Sequence, residues 1–341
     1  MRHAILLILF FYVCISVWAQ SDSAGQRIIQ KKCGIDRITL SPAKYGRDYP
    51  TLFQQISVID ARPDTSRIGI LRSARITQRE VALNGPVGRE LTKYLNAAYS
   101  RVGGRYSLLV VLKDFWVASV DTLFTYYHPE RQARFRADVY LEGKEGYHPL
   151  TRIDTTGYEY SDASISEFAI EQVRDLLDVL MAQVAAGDLD RERRTVNYRQ
   201  IDSFNRKRFD YPMDTAKNFA IGVYATAADF WNNAPSISNY TLAMDKSGHS
   251  ELDIADETGK MIYTHTVWGF CDSSRQRYVM MDGNLYPLYS VGHQFYVLGS
   301  KEYHKRQYQP GIGLFAVDIK GTTTRPLQIF RIDPESGDVI Q

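Results

Sequence analysis

The sequence predicts an α+β protein in which a small sheet with two packed helices precedes a mostly antiparallel β region. The first half alternates strand-like runs with two amphipathic helical segments, and the second half is a succession of short strands divided by turn residues. A charge-dense stretch separates the two halves. The expected organisation is a leader over 1–19, an N-terminal segment over 20–50, an α/β domain over 51–187, a charged linker over 188–215 and a mostly-β domain over 216–341.

Three strands are predicted in the α/β domain. Gln55–Asp60 has strand composition, and the turn-forming cluster Arg62-Pro63-Asp64 follows it. Tyr106–Val120 contains a continuous apolar run, Ser107–Leu112, which is typical of a strand covered on both faces. Ala133–Leu141 alternates apolar and polar residues, and this pattern predicts a half-exposed antiparallel strand.

Two helices are expected to pack on this sheet. The first begins at Pro86, a residue favoured in a first turn, and ends at Gly103-Gly104. The second begins at Ser164-Ile165-Ser166-Glu167, which has the spacing of a capping box, and Gly187 stops it. Apolar residues at three- and four-residue steps give each helix one buried face: Val87, Leu91, Leu95, Ala98 and Val102 in the first, and Phe168, Val173, Leu176, Leu177, Leu180 and Val184 in the second.

The second half is predicted to be a mostly antiparallel sheet or a partly closed barrel. Before it, the mixed charges of 188–210 indicate a solvated connector or an exposed helix. One short helix is expected at Ala227–Asn232, after Thr226. The clearest strands are Tyr240–Met244, Met261–Trp268, Arg277–Met281, Gln294–Leu298, Leu314–Ile319 and Leu327–Ile332.

The first residues predict export. Met1-Arg2-His3 supplies a positive start, Ala4–Trp18 is an uncharged apolar run too short to span a bilayer, and cleavage is expected after Ala19. A lipoprotein site at Cys14 is the less favoured alternative. No other stretch is long and apolar enough to cross a membrane, so we expect a soluble periplasmic or extracellular protein and not an integral membrane protein.

Composition restricts the partners. The net charge is +2 and 44% of the residues are hydrophobic, as in an ordinary globular protein without a field that would attract nucleic acid. Two cysteines remain after leader removal. Cys33 and Cys271 could form one disulfide in an oxidising compartment, and two buried thiols are the alternative.

A string of residues in the second half resembles a known pattern. It comprises Gly222-Val223-Tyr224, Asp229-Phe230, Asn233-Ala234-Pro235-Ser236, Trp268-Gly269-Phe270-Cys271-Asp272 and Tyr278. The string resembles a module of uncharacterised exported proteins from Bacteroidetes-type bacteria, over residues 222–341. Members usually carry Gly or Ser near the position of Cys271 and Gly at that of Ser273. The resemblance implies a location and no chemistry, and it suggests Tyr224, Phe230, Trp268, Asp272 and Tyr278 as candidate binding residues.

A fainter resemblance concerns the first half. Val58-Ile59-Asp60-x-Arg62, with the helix and long strand after it, is similar to small periplasmic α/β domains of envelope accessory lipoproteins. This similarity implies a fold only.

Catalytic and metal-binding patterns are weak. Cys271 could act as a nucleophile if a histidine of the same half, His249, His265, His293 or His304, served as its base. Neither His-x-x-x-His nor Cys-x-x-Cys occurs, and Gly311-Ile312-Gly313 does not complete a dinucleotide fingerprint, so we expect no metal and no cofactor. The aromatic residues form either a binding platform or ordinary sheet packing: Tyr126-Tyr127, Phe230-Trp231, Tyr286, Tyr289 and Tyr296.

These observations favour an exported cell-envelope protein that acts as a non-catalytic binding or assembly module, with an envelope protein or a glycan as its partner. Two alternatives remain open. One is a hydrolase that uses Cys271 with a nearby histidine. The other is an accessory subunit of envelope lipid or polysaccharide transport.

Overall fold

The computed structural model describes residues 34–41, 52–72, 78–100, 103–120, 130–160, 165–191, 193–244, 250–255, 258–262, 267–281, 284–299 and 328–340. These residues combine helices with extensive, largely antiparallel sheets, so the predicted α+β class is confirmed. The chain divides into two compact units, here the N-terminal unit (Lys31–Asp210) and the C-terminal unit (Tyr211–Ile340). The division falls within the segment that we interpret as a linker, and the finer domain boundaries stay a prediction.

The N-terminal unit is built on one mixed sheet of seven strands, in the order β1-β4-β3-β5-β6-β7 with β2 also paired to β5. The long strand β5 pairs in parallel with β2 along its first half and with β3 near its end, while β6 follows its other side. The strands are β1 (Ile35–Ile38), β2 (Phe53–Asp60), β3 (Gly69–Arg72), β4 (Gln78–Leu83), β5 (Tyr106–Val120), β6 (Glu130–Gly143) and β7 (Gly146–Tyr160).

Helices cover both faces of this sheet. The predicted helices are α1 (Val87–Tyr99) and α2 (Ile165–Ala186), whose apolar stripes join the main hydrophobic core with one face of the strands. On the opposite face, Ile201 of α3 (Tyr198–Lys207) is buried against Leu109 and Val111. The prediction that the apolar run of β5 is covered on both faces is therefore confirmed.

The C-terminal unit contains two antiparallel sheets. The larger has seven strands in the order β17-β16-β15-β14-β13-β12-β8, and the smaller has the order β11-β10-β9. Two short helices accompany them, α4 (Pro212–Thr215) and α5 (Ala227–Trp231). The strands are β8 (Gly222–Tyr224), β9 (Tyr240–Met244), β10 (Ser250–Ala255), β11 (Met261–Ile262), β12 (Gly269–Cys271), β13 (Arg277–Met281), β14 (Asn284–Val291), β15 (Gln294–Gly299), β16 (Gln328–Ile332) and β17 (Val339–Ile340).

Some elements differ from the expectation. Helix α1 ends at Tyr99, because Ser100 is already extended, with φ −89° and ψ 145°. β7 is absent from our predictions, as are β1, β3 and β4. The following predicted features lie outside the described residues: the leader 1–19, Val102, Ser164 and the strand Leu314–Ile319.

No helix within the described ranges is both long enough and apolar enough to cross a membrane.

Candidate functional site

The predicted site residues lie on or beside β8, α5, β12 and β13 of the C-terminal unit, where two chain segments approach closely. Gly222 has φ +142°, and a Cβ atom at this position would lie 2.9 Å from Cβ of Pro235. Val223 exchanges backbone hydrogen bonds with Ile237 on that side and pairs with Phe270 of β12 on the other. A glycine is required here because a side chain would collide with Pro235.

Tyr224 connects the same two segments. Its ring is fully buried, and its hydroxyl donates to the carbonyl oxygen of Ala220 at 2.8 Å. The side-chain oxygen of Asn233, a residue with φ 51°, lies 3.3 Å from this hydroxyl and accepts from the backbone N–H of Ala220 at 2.8 Å. Burial, followed by the nearby Cys271 thiol, raises the pKa of Tyr224. The phenol is therefore a neutral structural group at physiological pH.

Helix α5 is held by a complete capping box. Thr226 accepts from the backbone N–H of Asp229 at 3.1 Å, and the Asp229 carboxylate accepts from the Thr226 backbone at 3.0 Å. The hydroxyl of Ser236 donates to the same carboxylate at 2.8 Å. The cap fixes the direction of the helix, which places the Phe230 ring in the core with no exposed area.

An aromatic cluster fills the space between α5 and the sheet. Phe230 lies 4.3 Å from Trp268, 5.4 Å from Phe295 and 5.5 Å from Tyr224, measured between ring centroids. The indole N–H of Trp268 donates to the carbonyl oxygen of Gly337 at 2.8 Å. The rings therefore contact each other, and the polar edge of Trp268 already has a partner within the fold.

Asp272 organises the turn between β12 and β13. Its Oδ1 accepts from the backbone N–H groups of Ser274 and Gln276, both at 2.9 Å, and from the Ser274 hydroxyl at 2.7 Å. Its Oδ2 accepts from the hydroxyl of Tyr278 at 3.2 Å. The carboxylate, which is 7% exposed, thus satisfies several donors of its own turn.

Cys271 lies next to this turn and is fully buried. Burial, together with the adjacent Asp272 carboxylate, raises the pKa of Cys271 to about 11. The thiol lies 3.8 Å from the carbonyl oxygen of Asp272. Cys33 lies outside the described residues, so its pairing with Cys271 stays a prediction.

The structure thus places Tyr224, Phe230 and Trp268 in one hydrophobic cluster and Tyr278 in another, while Asp272 lies in the turn between β12 and β13. A binding role for these residues stays a prediction. The rings considered as a surface platform are largely internal: Phe230, Trp231, Tyr289 and Tyr296 are each at most 8% exposed. Tyr286 is half-buried, and Tyr126-Tyr127 lie outside the described residues.

A histidine–carboxylate contact also occurs in the C-terminal unit. Nδ1 of His293, in the turn between β14 and β15, contacts a carboxylate oxygen of Asp214 in α4. More than half of the His293 side chain is exposed, compared with 13% of Asp214. Within the ranges that the structure describes, the residues capable of ligating a metal form no group of three or more.

Buried charges of the N-terminal unit were not found by sequence reasoning. Arg62 is 5% exposed; it forms two hydrogen bonds to Asp60, at 2.8 and 2.9 Å, and one to the carbonyl oxygen of Arg67 at 2.7 Å. This network lies where β5 changes its partner from β2 to β3. The string Val58-Ile59-Asp60-x-Arg62 carries the resemblance described above. Its two charged residues, Asp60 and Arg62, stabilise the point where β5 stops pairing with β2 and begins to pair with β3.

A second charged group lies on the α3 face of the same sheet. Ion pairs join Lys113 to Asp138 at 2.5 Å and Arg136 to Asp154 at 2.7 Å, and Arg152 lies 3.9 Å from Asp138. In the sequence, the pattern that could have indicated this charged group is the alternation of charged and apolar residues in β6. It indicated a half-exposed strand, although Arg136 is only 6% exposed.

No protein family and no curated protein matches this sequence. Three solved structures show a limited likeness. A Xanthomonas campestris protein of the family DUF330 has a TM-score of 0.29 and 14% identity, over 44% of this chain and 95% of its own. An uncharacterised protein has a TM-score of 0.29 and 9% identity, over 45% and 97%. The lipoprotein GNA1162 of Neisseria meningitidis has a TM-score of 0.18 and 11% identity, over 39% and 99%. At such TM-scores the likeness carries no argument, and the resemblances noted from the sequence stay predictions.

Proposed function

We propose that this chain is an exported protein of the cell envelope that acts by binding or assembly, without chemistry at Cys271. Export with cleavage near Ala19 is part of the proposal and rests on the leader-like first residues. An envelope protein or a glycan remains the proposed class of partner.

The environment of Cys271 is the observation that carries this proposal. A cysteine nucleophile must reach its substrate and ionise near neutral pH, usually with the help of a base. Cys271 is fully buried, and its pKa is raised to about 11. At pH 7 the reactive thiolate would be on the order of one molecule in ten thousand. These properties fit a small buried core residue better than a nucleophile.

Substitution of Cys271 separates this proposal from the hydrolase alternative. We expect Cys271→Ala and Cys271→Ser to leave the cellular phenotype and the cross-linked partners of the chain unchanged, because neither variant alters the surface. Alanine is the matched control, since it removes the thiol without burying a new hydroxyl. Loss of function in both variants, with folding intact by circular dichroism, would support a nucleophile and overturn the proposal.

Thiol chemistry supplies a second measurement. In native protein at pH 8, we expect Cys271 to resist iodoacetamide, because burial hinders access and suppresses the thiolate. Denaturation should expose it to alkylation. Comparison of denatured samples with and without reductant also decides between a disulfide with Cys33 and two free thiols, since a bonded pair reacts only after reduction. Rapid alkylation of Cys271 in the native protein would contradict the proposal.

A further inference from the structure

β7 is the terminal strand of the N-terminal sheet. Within the described part of the chain it pairs along one side with β6, and its other side makes a single bridge, from Tyr147 to Val196. β7 spans fifteen residues. A strand edge presents a row of backbone donors and acceptors, and natural proteins usually shorten, charge or cover it because it can pair with another chain.

The first part of β7 carries such protection. Pro149 lacks a backbone donor, the register with β6 shifts between Val139 and Tyr140, and the bridge to Val196 occupies Tyr147. From Thr151 to Thr155, in contrast, β7 pairs with β6 residue for residue. This stretch contains neither proline nor glycine. Its backbone is therefore regular and suited to receive another strand.

The sequence of this stretch is self-complementary. It reads Thr-Arg-Ile-Asp-Thr, so a two-fold axis at Ile153 places Thr151 opposite Thr155, Arg152 opposite Asp154 and Ile153 opposite itself. We propose that two copies of this chain join edge to edge through antiparallel pairing of residues 151–155. The inference rests on the proposed function and names its assembly partner as a second copy.

The arrangement of side chains on β7 is compatible with antiparallel pairing of residues 151–155 about a two-fold axis at Ile153. An axis perpendicular to the sheet keeps each face of one copy continuous with the same face of the other, so opposed residues must lie on the same face. Arg152 and Asp154 are two positions apart and share the α3 face. Their side chains are 47% and 43% exposed. Ile153 is 1% exposed on the face of α1 and α2, so on that face the contact between the copies is made by the backbone.

Charge complementarity is the strongest argument for a second copy as the partner. One row across the sheet runs Lys113, Asp138 and Arg152, joined by contacts of 2.5 and 3.9 Å, and it ends at the edge in a positive charge. The next row places Asp114, Arg136 and Asp154 in register, with Arg134 3.5 Å from Asp114 and 3.8 Å from Asp154, and it ends at the edge in the Asp154 carboxylate. The two-fold axis places the row that ends in Arg152 next to the row of the second copy that ends in Asp154. Positive and negative side chains then alternate across the contact.

The size of the contact sets its strength. Five residues on each side form a small interface, and such contacts are usually weak and transient. Opposite charges directly across strands stabilise pairing, whereas like charges oppose it. We therefore expect a dimer that depends on protein concentration and is sensitive to Arg152 and Asp154.

A charge-exchange experiment tests this inference on the full chain without its leader. By sedimentation velocity, the unaltered protein should show a reversible equilibrium between monomer and dimer. Arg152→Glu and Asp154→Arg should each weaken self-association about tenfold or more, because each places like charges opposite each other twice. An equal mixture of the two variants should associate again as a heterodimer, since both cross-strand pairs between positions 152 and 154 then join an acidic residue to an arginine.

Matched controls are available in the turn between β6 and β7, where Lys144 and Glu145 are exposed. Lys144→Glu and Glu145→Arg should leave the equilibrium unchanged. A protein that is monomeric at every concentration, or a mixture that does not associate, overturns the inference. If the chain is monomeric but Arg152→Glu abolishes cross-linking to another envelope protein, the dimer is wrong and the proposed function stands. If Cys271→Ala abolishes function while the mixture associates, the proposed function fails and the dimer stands.

Discussion

The N-terminal unit ends its sheet on one side in the fifteen-residue strand β7, whereas the larger sheet of the C-terminal unit ends in β8 and β17, of three and two residues. β8 is further occupied by the contact of Val223 with Ile237. Short and occupied edges resist association with other chains. The self-association proposed above therefore uses the longest of these three strand edges.

The two units also stabilise their interiors differently. The N-terminal unit buries charged networks, with Arg62 and Arg67 at 5% and 4% exposure. The C-terminal unit also buries charged residues, with Arg331 and Asp333 at 4% and 2% exposure, and it adds clustered rings around Phe230 and neutral donors to Asp229 and Asp272. The sequence string from Gly222 to Tyr278 therefore contributes to packing and turns. The surface that we propose for self-association, residues 151–155 of β7, contains no such motif.

The largest expected effect concerns the charged network of the N-terminal unit. Arg62→Ala should lower the free energy of unfolding by about 3–5 kcal/mol, because it removes both guanidinium hydrogen bonds to Asp60 and the donor to the carbonyl oxygen of Arg67. Urea denaturation followed by circular dichroism measures the loss. Arg206→Ala is the matched control: Arg206 is 79% exposed and pairs with Asp202 at 2.9 Å, so its loss should change the free energy of unfolding far less. If Arg62→Ala lowered the free energy of unfolding no more than Arg206→Ala does, the buried network would not stabilise the protein.

A smaller effect is expected at the close approach in the C-terminal unit. Gly222→Ala should cost about 3 kcal/mol, since it combines an unfavourable backbone conformation with a collision against Pro235. Gly259→Ala serves as the control, because its φ is +80° and no atom lies within 4 Å of the added Cβ. It should cost only about 1 kcal/mol. Thermal unfolding of both variants compares the two costs, and a smaller loss for Gly222→Ala would refute the collision.

The turn at Asp272 should show the smallest of these effects. Asp272→Ala removes the acceptor of the Ser274 and Gln276 donors and should destabilise the protein by about 2 kcal/mol. Asp272→Asn retains one oxygen acceptor and should cost less. Urea denaturation ranks the two variants. If both match the unaltered protein, the carboxylate does not hold the turn, and a ligand-binding role for Asp272 becomes the better explanation.

Elements with strong apolar periodicity were predictable from the sequence. Helices α1 and α2 follow from stripes such as Leu91 with Leu95, and β5 follows from its continuous apolar run. β7 was not predictable in this way. Ile153 is the buried apolar side chain in its regular part, so the strand forms because β6 offers a partner along its whole length.

The candidate site shows a related limit. The sequence pattern singled out Tyr224, Phe230 and Trp268, which lie in one hydrophobic cluster, but an aromatic residue fits a core and a binding surface equally well. Burial depends on contacts between distant segments, such as the one between Gly222 and Pro235, that local patterns do not contain. The self-complementary stretch at Ile153 was visible in the sequence, but it gained meaning only when β7 was known to be a terminal strand.

Hydrogen exchange of the edge strands at increasing protein concentration tests the central comparison most directly. We expect the outward-facing amides of residues 151–155, which do not bond to β6, to become more protected as the concentration rises, because a second copy pairs with them, while β8 and β17 do not change. Protection of 151–155 that is independent of concentration, or a gain confined to β8 and β17, would contradict it.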